Sequence, residues 1–259
     1  MLSTEPKLQS ETLIVTLGNL AVPGFFFQLG KLTGSKLRRA NWYWRALTGT
    51  ESEAIEAERR IGKELSDAIA RESALDDPRS REFLDELGGR LAGSVKDRRR
   101  SFVFQILNAP EPNAFALPGG FIWVTGSLLE LCQHGSDELA FVLGHEMGHV
   151  VGLHALDRML ASSLWDSIFR LAPIGGLVGS QLTGIVRGLL EQRYSQDQEL
   201  EADEFGLRVA SHAGFQPSGA ISLLERLSRL ADEPPGLWQF FSTHPPVRLR
   251  LERLKRRLP

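Results

Sequence analysis

The sequence predicts an α+β fold, mainly helical, with a small β-sheet next to one central helix. Three observations carry this prediction. Beyond residue 50, apolar residues recur mostly at helical spacing with charges between them. The stretches rich in β-branched and aromatic residues are short and fall between residues 101 and 125. Directly after them comes FVLGHEMGHV, residues 141–150, which reads as a helix carrying His145, Glu146 and His149.

Each element follows from a local signal. Residues 51–73 place Ile55, Ile61, Leu65 and Ile69 at helical spacing, with Thr50 or Ser52 to cap the helix. Residues 78–92 give a second helix on Phe83, Leu84, Leu87 and Leu91, and Gly88, Gly89 and Gly93 mark its expected end. The charged residues 96–100 read as a solvated turn. SFVFQIL, residues 101–107, is the first strand. A turn with Pro110 and Pro112 leads to a short extended piece, Ala114, Phe115, Ala116 and Leu117. Pro118, Gly119 and Gly120 turn the chain into FIWVT, residues 121–125.

Ser136 is expected to cap the central helix, with Asp137 and Glu138 in its first turn, where negative charge suits the helix dipole. Leu139, Val142, Leu143, Met147 and Val150 form its apolar side, and the helix is expected to run on past His154. Residues 195–213 are strongly helical, capped by Ser195 and closed by Gly214. Residues 217–230 and 247–258 supply two further helices, the last one started by prolines. A proline-containing break (232–236) and the loop FFSTHPP (240–246) connect them.

A chain of 259 residues is enough for one large domain or two small ones. A net charge of −2 argues against dedicated nucleic-acid binding. A single cysteine, Cys132, excludes an intrachain disulfide and a cysteine-rich zinc site. The first residues lack the basic start of a secretory signal, so the expected location is cytoplasmic or membrane-associated. Residues 12–30 carry no charge but are interrupted by Asn19, Pro23 and Gln28. Lys31, Lys36, Arg38, Arg39 and Arg45 follow around Trp42, Tyr43 and Trp44. That combination suits peripheral contact with a membrane interface, or else a segment packed on the domain. Residues 171–186 form a second uncharged, glycine-containing run, read as a helical hairpin over the central helix, with membrane contact as the alternative.

The chemistry centres on the H-E-x-x-H pattern. Residues four apart on a helix differ by about 40° around its axis, so His145 and His149 share a face and can hold one metal ion. Glu146 lies beside them, placed to accept a proton from water. A catalytic zinc needs a third protein ligand. Glu199 and Asp203 are four apart on one helix, so one can ligate while the other holds a ligand imidazole. Glu201 points elsewhere on that helix. His154, nine residues after His145, lies about 180° away on a continuous helix and is expected outside the site.

Four segments occur in order: NAFALPGG (113–120), HEMGH (145–149), SQDQELEADEFG (195–206) and STHP (242–245). This set resembles the membrane-associated zinc metalloendopeptidases of the HtpX, CaaX-prenyl-protease and mitochondrial Oma type, a gluzincin family. The resemblance implies a zincin-like metalloprotease domain over residues 51–259, preceded by an N-terminal segment over residues 1–50. It selects Glu199 as the third ligand and gives Asp203 the support of a ligand histidine. His244 becomes the group that stabilises the oxyanion, and Arg250 matches an arginine that follows the last motif. Gln196 departs from the arginine many relatives carry there. Residues 1–100 carry no matching motif.

The expected function is therefore zinc-dependent peptide-bond hydrolysis in membrane or misfolded-protein quality control. One Zn2+ per chain is held by His145, His149 and Glu199, with Glu146, Asp203 and His244 as catalytic residues. The polypeptide substrate is expected to add as a strand along Ala114, Phe115, Ala116 and Leu117. The alternative is a zinc-stabilised binding or chaperone-like module without proteolytic activity.

Overall fold

The computed structural model describes residues 50–133, 135–161, 193–230, 244 and 247–256. The readings placed on residues 1–49, 171–186, 232–236 and, except for His244, 240–246 lie outside these residues. No helix among the described residues is long and apolar enough to cross a membrane.

Helix α1 spans Glu51–Ser73 and α2 spans Pro78–Ser94. Asp77 caps α2 by accepting from the Arg79 amide at 3.2 Å, and Pro78 sits in the first turn, where its missing N–H costs nothing. The glycines do not end α2. Gly88 is buried against the Phe104 ring, and the absence of a Cβ lets helix and strand approach. Strands β1 (Val103–Leu107), β2 (Ala114–Leu117) and β3 (Phe121–Thr125) make one sheet in the order β1-β3-β2. β3 runs parallel to β1 and antiparallel to β2, with Phe115 opposite Trp123 and Ala116 opposite Ile122.

Side chains alternate across this sheet, and both faces are buried. Phe115, Leu117, Phe121 and Trp123 pack with Leu65, Ala68 and Ile69 of α1. Ala114, Ala116, Ile122 and Val124 join a larger core with Leu84 and Leu87 of α2. The polar edge of the buried indole is satisfied: Trp123 Nε1 donates to Ser66 Oγ at 3.2 Å.

A short helix α3 (Gly126–Leu131), capped by Thr125, follows β3 and has no counterpart in the sequence reading. The central helix α4 spans Ser136–Val151. Its cap position is Gly135, without a side-chain bond, so Ser136 is the first helical residue rather than the cap. Nor does α4 run past His154. Gly152 ends it, Leu153 adopts φ 61°, and a new helix α5 spans His154–Ala161. Helix α6 spans Gln196–His212, with a capping box in which Ser195 and Gln198 satisfy each other's backbone amides. Helices α7 (Ser218–Leu230) and α8 (Val247–Lys255) complete the described fold.

One packing feature positions everything that follows. A Cβ on Gly144 would lie 2.9 Å from the Gly206 Cα, one on Gly148 2.9 Å from the Ala202 Cα, and one on Gly206 2.6 Å from the His145 amide nitrogen. Helices α4 and α6 thus touch backbone to backbone through small residues spaced four apart on each. Longer side chains at these places would hold the helices apart.

Candidate metal centre

Close packing of α4 on α6 puts the ligating faces of both helices together. His145, His149 and Glu199 are all buried, with His145 Nε2 and His149 Nε2 3.1 Å apart. Glu199 lies 3.4 Å from His149 Nε2 through Oε1 and 3.7 Å from His145 Nε2 through Oε2. His244 reaches in from the chain before α8, its Nδ1 2.9 Å from Glu199 Oε1 and 3.3 Å from His145 Nε2. One potential ligand atom from each of these four residues falls within 4.8 Å of the others.

The protonation pattern suits a cation. His145 Nδ1 lies 2.8 Å from Asp203 Oδ1, and Arg250 grips the same carboxylate at 2.6 Å (Nη2 to Oδ1) and 2.8 Å (Nε to Oδ2). Burial works to raise the Asp203 pKa, but the Arg250 charge and the bonds from His145 and Arg250 hold it below the ordinary value. An ionised Asp203 accepts the Nδ1 proton of His145 and leaves Nε2 with a bare lone pair. Burial drives His149 well below the usual histidine pKa, into the neutral form that binds metal. Glu199 is held ionised: burial opposes this, but His244, Arg250 and the bond from His149 outweigh it. The Nε2 atoms of His145 and His149, 3.1 Å apart beside the Glu199 carboxylate, form a donor set that a cation can bridge. These N and O donors fit zinc.

Glu146 has the opposite electrostatics. It is fully buried, and neither of its carboxylate oxygens has a hydrogen-bond partner among the described residues, although Oε1 lies 3.5 Å from His244 Nε2. Burial raises its pKa above the ordinary value, only partly offset by His244 and His145. Desolvation thus makes this carboxylate a stronger base. Cys132, the only cysteine in the chain, is buried, and its thiol is pushed up to about 12 by burial and by Glu138, which makes it inert at neutral pH.

Around His149 the structure departs from the sequence reading. His154 is 0% exposed, and its Nδ1 lies 3.1 Å from His149 Nδ1. The turn at Gly152 and Leu153 breaks the continuous helix on which its exclusion rested. Glu201, expected to point elsewhere, extends Oε2 to 3.6 Å from His154 Nε2. Tyr194 stacks on His149 with ring centroids 3.7 Å apart and planes at 14°. The Arg158 guanidinium lies over the Tyr194 ring, 4.3 Å from its centroid. Neither Tyr194 nor Arg158 stands out in the sequence. His154 is recoverable only by allowing Gly152 to end the helix.

The residues expected to line the substrate are all buried in β2. β2 is an edge strand of the three-stranded sheet, with β3 on one side. Arg158 Nη2 donates to the Ala116 carbonyl at 3.4 Å.

The family model of Peptidase family M48 matches residues 78–258, which include every residue of this cluster. The chain belongs to that family. Among M48-type relatives, the mitochondrial metalloendopeptidase OMA1 of Schizosaccharomyces pombe is 35% identical over 156 residues, covering 60% of this chain and 46% of the relative. OMA1 of Saccharomyces cerevisiae is 32% identical over 60% of this chain and 46% of its own length. The beta-barrel assembly-enhancing protease of Yersinia pestis is 31% identical over 65% of this chain and 37% of its own length. The chain therefore spans less than half the length of each of these curated relatives. M48 membership agrees with the family resemblance read from the motifs and with zinc metalloendopeptidase as the enzyme class.

Proposed function

We propose that this M48 chain is a zinc-dependent endopeptidase in which His145, His149 and Glu199 hold one Zn2+. The observation that carries the reading is the convergence of those donors beside Glu146, a buried carboxylate with a raised pKa. When bound, zinc supplies a Lewis acid that polarises the scissile carbonyl and lowers the pKa of a water toward about 7. Glu146 takes the proton of the attacking water and hands it to the leaving amine. Asp203, clamped by Arg250, keeps His145 in the tautomer that ligates through Nε2. His244 bonds Glu199 through Nδ1 and turns Nε2 toward Glu146, which leaves Nε2 to meet the developing oxyanion. Loss of one such donor typically costs about 2.7–4 kcal/mol. The peptide lies along Ala114, Phe115, Ala116 and Leu117.

The role we propose is quality control of membrane or misfolded proteins; one relative is named as a beta-barrel assembly-enhancing protease. The basic, tryptophan-containing residues 31–45 support peripheral membrane contact. Flotation with vesicles, for chains with and without residues 1–45, tests this: loss of binding on truncation is the expected result. Residues 1–50 act as a segment separate from the protease domain at 51–259.

One observation favours the alternative, a zinc-stabilised binding module. With His244 Nδ1 in the ligand group, four protein donors can close the site, as in structural zinc centres. Cleavage separates the two readings. The zinc-loaded endopeptidase digests an unfolded casein-like protein, a chelator stops it, and added zinc restores it. Zinc-dependent stabilisation without any chelator-sensitive cleavage would establish the binding module instead.

A further inference from the structure

Arg158 is 7% exposed, yet it forms no ion pair with any carboxylate among the described residues. Among the described residues it donates one hydrogen bond, the long Nη2 contact to the Ala116 carbonyl, and its buried Nε finds no partner there. Beneath it lies Tyr194, whose hydroxyl is also buried without a partner. A tyrosine hydroxyl can donate a hydrogen bond. Glu146 feels the Arg158 charge, but no described carboxylate contacts the guanidinium, and its planar fork of donors matches a carboxylate in shape and charge. The contrast with Arg250, which binds two carboxylates, is direct.

We infer that Arg158, aided by Tyr194, is a specificity-determining subsite that takes a carboxylate of the substrate. Its position follows from two contacts. Through Ala116 it touches the strand along which the peptide is proposed to lie, and through Tyr194 it adjoins His149. A peptide added to β2 passes the guanidinium within reach of its side chains. The carboxylate comes from an Asp or Glu side chain near the scissile bond or from the peptide's own C-terminus. This inference rests on the endopeptidase reading for the peptide's course, but its test does not require turnover.

The experiment measures binding to the zinc-loaded full chain carrying Glu146→Gln. The probes are fluorescein-labelled short peptides in matched pairs. One series walks a single Glu or Gln through an otherwise neutral, C-terminally amidated peptide. The other compares the free C-terminal acid with the amide. Charge-assisted bonding in a buried site predicts at least about ten-fold tighter binding of the carboxylate member of one series. The series that discriminates identifies the source of the carboxylate. Arg158→Met abolishes the preference, Arg158→Lys retains part of it, and Tyr194→Phe weakens it less than Arg158→Met does. Thermal melts of each variant show that it is folded. Equal affinity within every pair, no binding of any peptide, or a preference that survives Arg158→Met would overturn the inference. Selective binding together with a zinc-loaded native chain that cleaves nothing would instead overturn the protease reading and leave the subsite standing.

Discussion

The two sides of the zinc cluster are built on opposite principles. On the His145 side, Arg250 is buried and fully engaged, bonding Asp203, Glu199 and the His244 carbonyl. On the His149 side, Arg158 is nearly as buried, and its contacts among the described residues are a carbonyl and a tyrosine ring. The first arrangement is complete without a ligand and fixes the geometry of a metal-binding imidazole. The second leaves donors unused at the edge of the proposed peptide path. The same residue type at similar depth serves as structure in one place and as recognition in the other.

The comparison breaks most directly through stability. Arg250→Met strands two buried carboxylates and lowers the unfolding free energy of the zinc-free chain by about 3–5 kcal/mol in urea titrations. Arg158→Met removes a cation that no described carboxylate contacts and leaves stability unchanged within about 0.5 kcal/mol, or raised. Equal destabilisation by both would erase the distinction. The pH dependence sharpens it. Asp203 and Glu199 both have pKa values below their ordinary 3.8 and 4.5. Their contribution to stability is present above those ordinary values and is lost as pH falls through the lower folded ones. The zinc-free chain therefore keeps this stability from neutrality down into the carboxylate range and loses it in stronger acid. In Arg250→Met, burial is no longer opposed by that charge, and the acid-induced loss shrinks.

Helix contact comes next in size. Gly206→Ala places a methyl 2.6 Å from the His145 nitrogen, forces α4 and α6 apart and costs about 1–3 kcal/mol, with weaker zinc binding. Gly89→Ala, on the open face of α2, meets nothing within 4 Å and stabilises by about 0.5–1 kcal/mol. Differential scanning calorimetry with and without zinc checks both. For the residues behind the ligands, Asp203→Asn lowers zinc affinity by about 10–100-fold in competition with a chromogenic chelator. His154→Ala lowers it less, because His149 is also held by the Tyr194 stack.

Much of the fold was legible in the sequence because period and composition carry it, while the candidate site was read partly from spacing and partly from the family resemblance, which alone pointed to His244. Helical periodicity placed α1, α6 and α7, β-branched and aromatic composition placed the sheet, and H-E-x-x-H with Glu199 and Asp203 defined two helix surfaces. What was illegible depends on backbone events without periodicity. The turn at Gly152 and Leu153 returns His154 to the cluster, and no pattern announces that a leucine will adopt a positive φ there. Tyr194 lies just before its helix cap, and Arg158 looks like any helical arginine until the fold buries it. The small residues Gly144, Gly148, Ala202 and Gly206 were visible and were a usable signal: two four-residue spacings on helices that must touch.

Glu146 carries the central claim, and it can be removed without disturbing a ligand. Zinc content and cleavage of an unfolded protein, measured side by side for the native chain and Glu146→Gln, test it most directly. The variant should keep one zinc per chain and lose about 100–10,000-fold in cleavage rate, the contribution of a positioned general base. Cleavage at the native rate by the zinc-loaded variant would contradict the account.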